Sequence, residues 1–241
     1  HDIVLLLNAR ESFLAGNIDD AKRIVETRKT TNPEWEILLA DIAESQKDDA
    51  SALRYLMKAA ESITHPDLFW RAAIAASRTG DWPKTIELLE LVLRLAPKRL
   101  KARRQLFQAY MRDGSEPNMR LAQEQLKVLA NAEPNILEHV LNQAIVCTHL
   151  KEFPAAISIL DELLQRSSPQ NVEDTRVRLS ATLLKARLVS AENPAEAFSL
   201  LNSDAVRAEF TEQIAFWQGY MLYAHRAGQD GAAHEAREQI L

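Results

Sequence analysis

Small residues recur along the chain at long, nearly regular intervals, superimposed on the short period of amphipathic helices. Successive positions are 31, 33, 37, 34, 41 and 36 residues apart. The positions are Ala21, Ala52, Thr85, Ala122, Ala156, Ala197 and Ala233. A period close to 35 residues predicts a series of similar helical units rather than one irregular globule.

Large apolar residues follow the small ones by one helical turn. Six of the seven small positions have a branched aliphatic residue four places later, and these residues are Val25, Leu56, Leu89, Leu126, Leu160 and Leu201. A small side chain lets a neighbouring helix approach closely, and the large side chain one turn later packs against it. The pattern therefore predicts tight helical hairpins.

Glycine and proline punctuate the same register. Three glycines stand five residues before a small position, where a left-handed residue would end the first helix of a hairpin. Prolines follow the small position by twelve or thirteen residues, where they would stop the second helix. The glycines are Gly16, Gly80 and Gly228, and the prolines are Pro33, Pro97, Pro134 and Pro169.

The composition also favours helices. The 241 residues include only six glycines, 46% are hydrophobic, and residues with high helix propensity dominate. Val, Ile, Tyr and Thr are too scattered for a sheet-rich protein. We predict an all-α chain of about thirteen to fifteen helices.

Helix, turn, helix and proline at this period resemble the tetratricopeptide repeat (TPR), and the resemblance covers the whole chain. Its most typical segments are Phe69-Trp70-Arg71-Ala72-Ala73 with Gly80-Asp81-Trp82, and Trp217-Gln218-Gly219-Tyr220-Met221 with Gly228. The full TPR signature is seldom complete, so the repeats are divergent. The resemblance implies a single right-handed α-solenoid of antiparallel hairpins. It has about six and a half repeats, at residues 2–32, 33–65, 66–99, 100–136, 137–171, 172–204 and 205–241.

Departures from the period predict where the repeats are irregular. The turn over residues 113–118 is longer than the others and is expected to be exposed. Residues 172–191 predict an extended first helix, and residues 194–201 a short second one. Asn202-Ser203-Asp204 is expected to cap one long helix that runs toward Ala227. Apolar residues near both ends predict a segment of a longer array, because terminal repeats usually carry a polar outer face.

Motifs that would carry catalysis are absent from the sequence. There is no Gly-rich phosphate loop, no Gly-x-Ser-x-Gly elbow and no pair of histidines spaced to share a metal. Cys147 is the single cysteine and lies on an apolar helix face, which favours core packing over nucleophilic catalysis. The acidic pairs at 19–20 and 48–49 are expected to cap second helices. We predict a non-enzyme without catalytic, cofactor-binding or metal-ligating residues.

The net charge of −5 does not favour nucleic acid or an anionic membrane surface as a ligand. No apolar run is long enough for a spanning helix, so this segment is not expected to insert into a membrane. One cysteine fits a reducing or an oxidising compartment equally well. The expected partner is a protein.

The TPR resemblance implies that first helices line a concave groove in which ligands usually lie. The repeat register places a mostly basic stripe there: Trp70, Arg71, Arg78, Lys101, Arg104, Gln108, Arg112, His149 and Arg187, with Ile74, Asn142, Gln218 and Arg226 on the same face. The second repeat contributes Glu34, Asp41 and Glu44 instead. The stripe could bind an acidic segment of a partner, since arginine binds carboxylates bidentately. The alternative is an ordinary solvated helix face.

The divergent repeats are similar to the periplasmic repeat regions of bacterial exopolysaccharide exporters of the outer membrane, with the Pel and cellulose systems as candidates. This likeness implies a periplasmic scaffold that recruits a polysaccharide-modifying enzyme or contacts the polysaccharide. Three alternatives stay open. They are the superhelical domain of an enzyme such as a lytic transglycosylase, a cytoplasmic adaptor, and a groove that stacks bases or sugars on Trp70, Trp82 and Trp217.

Overall fold

The described part of the chain is entirely helical. A computed structural model describes residues 2–27, 32–169 and 171–241, and these residues form fifteen helices and no strand. The all-α prediction is therefore confirmed. His1, residues 28–31 at the end of the first predicted repeat, and Gln170 in the fifth lie outside the described residues.

The helices follow one another with short connections. They are α1 (Asp2–Leu14), α2 (Ile18–Glu26), α3 (Pro33–Ser45), α4 (Asp49–Ala60), α5 (Pro66–Thr79), α6 (Trp82–Leu95), α7 (Leu100–Asp113), α8 (Glu116–Ala132), α9 (Leu137–His149), α10 (Phe153–Arg166), α11 (Val172–Val189), α12 (Pro194–Leu201), α13 (Asp204–Phe210), α14 (Ile214–Arg226) and α15 (Asp230–Ile240). The helices α3, α5, α7, α9 and α11 begin at the residues where the second to sixth repeats were predicted to begin.

Contacts between Cα atoms divide the chain into two compact units. The first unit is His1–Gln125 and the second unit is Leu126–Leu241, so that α8 contributes to both. In the first unit, α1 packs on α2, α3 on α4 and α5 on α6, and each hairpin packs on the next. In the second unit, α9 packs on α10, α11 on α12 and α14 on α15. The continuity of all hairpins in one right-handed array stays a prediction.

Local signals in the sequence explain where three helices of the first unit begin. Side-chain oxygens of Asn32, Asp48 and Asp81 accept hydrogen bonds from backbone N–H groups in the first turns of α3, α4 and α6. Such caps satisfy donors that have no partner within the helix. The predicted capping role is thus confirmed for Asp48, whereas Asp19 and Asp20 lie inside the first turn of α2.

The hairpin turns use a left-handed residue, as the glycine pattern predicts. Gly16, Gly80 and Gly228 have φ values of +83°, +81° and +70°. Lys47 and Lys151 occupy the same place in two other hairpins, with φ values of +59° and +61°. The turn geometry is therefore kept even where the sequence lacks the residue that adopts it most easily.

The predicted packing register is confirmed by burial in six hairpins. Ala21, Ala52, Ala122, Ala156 and Ala197 are fully buried, as is Thr85 apart from 2% of its surface. The six large aliphatic residues one turn later are also buried. The last hairpin departs from the register, because Ala233 is half-buried and Ala236 is the fully buried alanine.

Two expectations about irregular segments are wrong. Residues 116–118 do not lengthen a turn but form the first turn of α8, where proline at position 117 is tolerated because its missing N–H would have no helical partner. Residues 113–117 are nevertheless exposed, as expected. Residues 204–227 form two helices, α13 and α14, instead of one long helix. The final predicted repeat consequently holds a complete hairpin preceded by α13. The long α11 and the short α12 agree with expectation.

The break between α13 and α14 is held by tertiary contacts. Phe210, the last residue of α13, is fully buried and lies beside the Phe216 ring, with centroids 5.8 Å apart. The Trp217 indole N–H donates a 2.8 Å hydrogen bond to the Thr211 carbonyl, which no longer belongs to a helix. Burial of the aromatic rings thereby compensates for the interrupted helix.

Candidate functional site

Seven of the nine predicted site residues lie on α5 and α7 in the first unit. On α5, Leu68, Phe69, Ala72, Ala73 and Ala76 are buried. The opposite face therefore carries the predicted residues, of which Trp70 and Arg71 are half-buried and Arg78 is exposed. His65 accepts the Asp67 N–H at the start of the helix, and Gly80 ends it.

These three residues line a small cleft. It has a volume of about 210 Å³ and is lined by Glu44, Asp49, Trp70, Arg71, Ile74, Ala75 and Arg78. Its walls thus combine an indole ring, aliphatic groups, two carboxylates and two guanidinium groups. The cleft is not uniformly cationic, because acidic residues of the preceding hairpin enter it.

Arg71 is committed to two carboxylates of α3. Its Nε donates to Glu44 Oε1 at 3.1 Å and its Nη2 to Glu44 Oε2 at 2.9 Å, and Nη2 also contacts Asp41 Oδ1. Burial opposes the charge of Arg71, but the two carboxylates outweigh it and raise the pKa of the guanidinium. Burial also raises the pKa of Asp41, since Arg71 offsets only part of the desolvation. Arg71 therefore joins successive hairpins instead of facing solvent alone.

Trp70 and Arg78 also have partners within the first unit. The Arg99 guanidinium carbon lies 4.8 Å from the centroid of a Trp70 ring, and Arg99 Nη1 donates to Asp67 Oδ1 at 2.5 Å. Arg78 Nη1 donates to Asp49 Oδ1 at 3.2 Å. One face of the Trp70 ring is therefore covered by a cation, which reduces its use as a stacking platform.

The α7 helix presents the open part of the basic stripe. Its buried residues are Ala102, Leu106, Phe107, Ala109 and Tyr110, and the predicted residues lie on the other face. Lys101, Gln108 and Arg112 are exposed or nearly so, and Arg104 is half-buried. Arg112 lies over the Trp82 ring, 6.0 Å from its centroid. Within the described residues neither Lys101 nor Arg112 forms an ion pair, so their charges remain accessible.

The other two predicted residues belong to the second unit. His149 is the exposed last residue of α9. Arg187 is exposed on α11 and lines a separate, mostly apolar groove against α14. The stripe predicted from the register is therefore not uniform. On α5 the arginines are paired with carboxylates, on α7 the cations are open to solvent, and Arg187 lies in a mostly apolar groove.

Sequence reasoning missed the pairing of the stripe with the acidic residues that it had placed nearby. Asp41 and Glu44 precede Arg71 by 30 and 27 residues, roughly one repeat, and Asp49 precedes Arg78 by 29 residues. Asp41 and Glu44 lie on α3, the first helix of the preceding hairpin, whereas Asp49 begins the second helix, α4. A spacing of about one repeat between opposite charges is therefore a usable signal for ion pairs. The contacts of Arg99 with Trp70 and Asp67 show the same spacing of about one repeat.

Trp217 does not serve as a stacking platform. Only 4% of its surface is exposed, and its ring packs against Phe216 and Tyr220 at centroid distances of 5.2 and 5.5 Å. The interpretation of three tryptophans as a base- or sugar-stacking surface is therefore wrong for Trp217.

Metal ligands and a reactive cysteine thiol are two kinds of group that can support catalysis. No three His, Cys, Asp or Glu side chains among them are placed to hold a metal ion. The Cys147 thiol is buried, and burial raises its pKa, which disfavours the reactive thiolate. None of the helices in the described segments is long and apolar enough to cross a membrane.

Comparison with known proteins identifies the fold. No protein-family model matches the chain, and no curated protein matches it in sequence. The C-terminal part of a TPR repeat-containing protein from Cytophaga hutchinsonii is similar in structure, with a TM-score of 0.64 and 15% identity, over 98% of this chain and 94% of that one. YrrB, described as a TPR protein with an unusual peptide-binding site, matches with a TM-score of 0.55 and 14% identity, over 76% of this chain and 89% of its own.

A longer protein matches over the whole chain. The structure of Naa15/Naa10 bound to HypK-THB contains a chain similar to this one, with a TM-score of 0.59 and 16% identity. The match covers 100% of this chain and 36% of the other, so this chain spans about a third of that relative's length. Together these similarities show an all-α fold of the TPR α-solenoid type.

Proposed function

We propose that the chain is a non-catalytic scaffold that binds a partner protein, and that α7 carries the centre of the binding surface. The observation that supports this proposal most strongly is the charge of the exposed α7 face. Lys101 and Arg112 project from it without a carboxylate partner among the described residues, whereas Arg71 and Arg78 of α5 are already paired. An acidic partner would therefore contact α7 first.

The chemistry of the partner follows from these side chains. Arginine can bind a carboxylate with two parallel hydrogen bonds, and lysine adds a point charge on a flexible stem. An acidic strand or loop along α7 could contact Lys101, Arg104 and Arg112 at once, since they lie on the same face. The adjoining cleft at Trp70 and Ile74 would accept a small apolar side chain beside the acidic groups.

The amino-acid composition of the repeats suggests a narrower role. We propose that the scaffold works in the periplasm, within an exporter of exopolysaccharide of the Pel type, and that the partner is a polysaccharide-modifying enzyme. The divergent hairpins rich in Ala, Leu, Arg and Gln support this role. The fold supports a binding role in general, since hairpin arrays present extended surfaces made from several helices.

Charge reversal tests the binding surface. The Lys101→Glu, Arg112→Glu variant should bind the modifying enzyme of the same export system at least about tenfold more weakly, because both charges become repulsive toward an acidic partner. Arg104 is left unchanged because it is half-buried and its replacement would disturb packing. The matched control is Arg94→Glu, Lys98→Glu, which reverses two charges of α6 and the following turn. Binding can be measured by biolayer interferometry.

The salt dependence and the location provide independent readouts. Affinity should fall as ionic strength rises through 0.1 M, where the Debye length is about 10 Å. Unchanged affinity of the α7 variant, together with no salt effect, would refute the proposed surface. Immunoblotting of cell fractions tests the compartment, and recovery from the cytoplasmic fraction alone would refute the periplasmic role while leaving the scaffold proposal intact.

A further inference from the structure

A second surface, in the second unit, has the opposite character to α7. The helices α11 and α14 enclose a groove of about 520 Å³ whose apolar lining includes Leu183, Leu184, Ala215, Gly219, Leu222 and Tyr223. A volume of this size, with predominantly apolar walls, is typical of ligand-binding grooves. This groove is distinct from the α7 surface, and its ligand is independent of the function proposed for that surface.

Gly219 sets the floor of the groove. A Cβ atom at this position would lie 2.5 Å from Leu183 Cδ2, so that no other residue fits without a shift of the leucine. Glycine therefore permits α11 and α14 to approach closely at this point. The two helices form the walls of the groove on either side of this contact. Leu222, one turn after Gly219, is 46% exposed.

Two exposed apolar residues lie on one face of α14, with the polar Gln218 between them. Ile214 is 57% exposed, and it lies on the same helix face as Gln218 and Leu222. Large aliphatic side chains in solvent cost free energy unless a partner covers them. Leu222, which lines the groove, is therefore available for apolar contact with a partner.

Two arginines lie in the last turns of the helices that form the groove. Arg187 follows Leu183 by one turn and Arg226 follows Leu222 by one turn, so each cation comes from the last part of its helix. Arg226 lies over the ring of Tyr223, which lines the groove, at 5.8 Å from the centroid. Within the described residues neither arginine forms an ion pair, in contrast to Arg178 and Arg207 of the same unit.

We propose that the α11–α14 groove binds an internal segment of a partner protein in which two or three apolar residues are followed by Asp or Glu. The apolar side chains pack on Gly219, Leu183 and Leu222. The acidic side chain binds Arg187 or Arg226, for which carboxylate is the complementary group. Charge complementarity at one end of an otherwise apolar groove fixes the orientation of the segment.

The experiment selects ligands without assuming a partner. A library of random nine-residue peptides, displayed with a protein fused at both ends, is selected against the full chain, and enriched peptides are synthesised and titrated by fluorescence polarisation. We expect enriched sequences to carry apolar residues followed by Asp or Glu. Leu222→Glu should weaken their binding at least about tenfold, and Arg187→Glu about fivefold or more.

Matched variants make the result specific. Leu121→Glu changes a leucine that is 42% exposed on α8 and should leave the affinity unchanged. Circular dichroism confirms that each variant keeps the helical fold. The proposal is overturned if no peptide is enriched over the Leu222→Glu protein, if Leu222→Glu and Leu121→Glu bind equally, or if peptides keep their affinity after replacement of their acidic residues by Asn or Gln.

Discussion

The first and second units differ in how deeply the ion pairs between their helices are buried. In the first unit, ion pairs between successive first helices are partly exposed, as for Arg10 with Glu34 and Arg71 with Asp41 and Glu44. The second unit has an exposed pair of this kind as well, Arg176 of α11 with Glu138 of α9, but it adds the buried Arg178. Arg178 binds Glu209 of α13 through Nε and Nη2, at 2.5 and 2.9 Å, and its Nη1 donates to oxygens of Leu164 and Ser167.

The difference shows that a regular repeat positions its helices without a buried ion pair. Where hairpins follow the period, small residues and aliphatic packing position each helix, and charge pairs add to the joint from the surface. The helix α13 lies between the hairpins α11–α12 and α14–α15 and is not itself part of a hairpin. A buried arginine and the rings of Phe210, Phe216 and Trp217 then fix the extra helix.

The largest expected effect is the loss of the buried arginine. Arg178→Ala should lower the free energy of unfolding by about 3–5 kcal/mol, because it leaves the Glu209 carboxylate buried without its counter-charge. Arg71→Ala in the first unit should cost at most about 1 kcal/mol, since its partners are partly solvated. Urea denaturation compares the two, and equal losses would show that the units do not differ in this respect.

The buried small residue of each hairpin is common to both units, so enlarging it should lower the stability of the protein by a similar amount in each. Ala156→Phe and Ala52→Phe place a bulky ring where no surface is exposed, and each should destabilise the protein by about 1–3 kcal/mol through overpacking. Glu116→Phe, at a position exposed to solvent, serves as the control. Thermal melting that does not separate the alanine variants from the control would disprove the packing register.

The smallest effects concern the hairpin turns. Lys47→Gly and Lys151→Gly should each raise the free energy of unfolding by about 0.5–1 kcal/mol, because glycine adopts positive φ without steric cost. Gly80→Ala should lower it by about 1 kcal/mol for the same reason. Urea midpoints measure all three, and no gain from either lysine replacement would contradict the left-handed geometry of that turn.

Much of the fold was accessible from the sequence because the repeat is encoded locally. The residues Gly80, Ala52 and Leu56 each determine a turn or a contact within one hairpin, and their spacing alone placed them correctly. The break after Phe210 could not be found this way. The segment Thr211-Glu212-Gln213 contains neither proline nor glycine, and the interruption depends on long-range burial of Phe210 and Trp217.

The candidate site was accessible only in part. The register placed Arg71, Arg78, Lys101 and Arg112 on one face of their helices, and in the structure this face lies opposite the buried residues of α5 and α7. That this face binds a partner stays a prediction. The register could not distinguish a cation that is paired from one that is open, since this depends on the distance between side chains on different hairpins. Arg187 shows the same limit, because its apolar surroundings arise from the close approach at Gly219.

The distribution of tryptophans gives the second unit its own optical signal. Three of the four tryptophans, Trp35, Trp70 and Trp82, lie in the first unit, and Trp217 lies in the second. Trp217 is buried beside Tyr220 at a centroid distance of 5.5 Å, which favours excitation transfer from tyrosine and emission at short wavelength. A protein with phenylalanine at the other three positions would report, by fluorescence, on the aromatic cluster of the second unit.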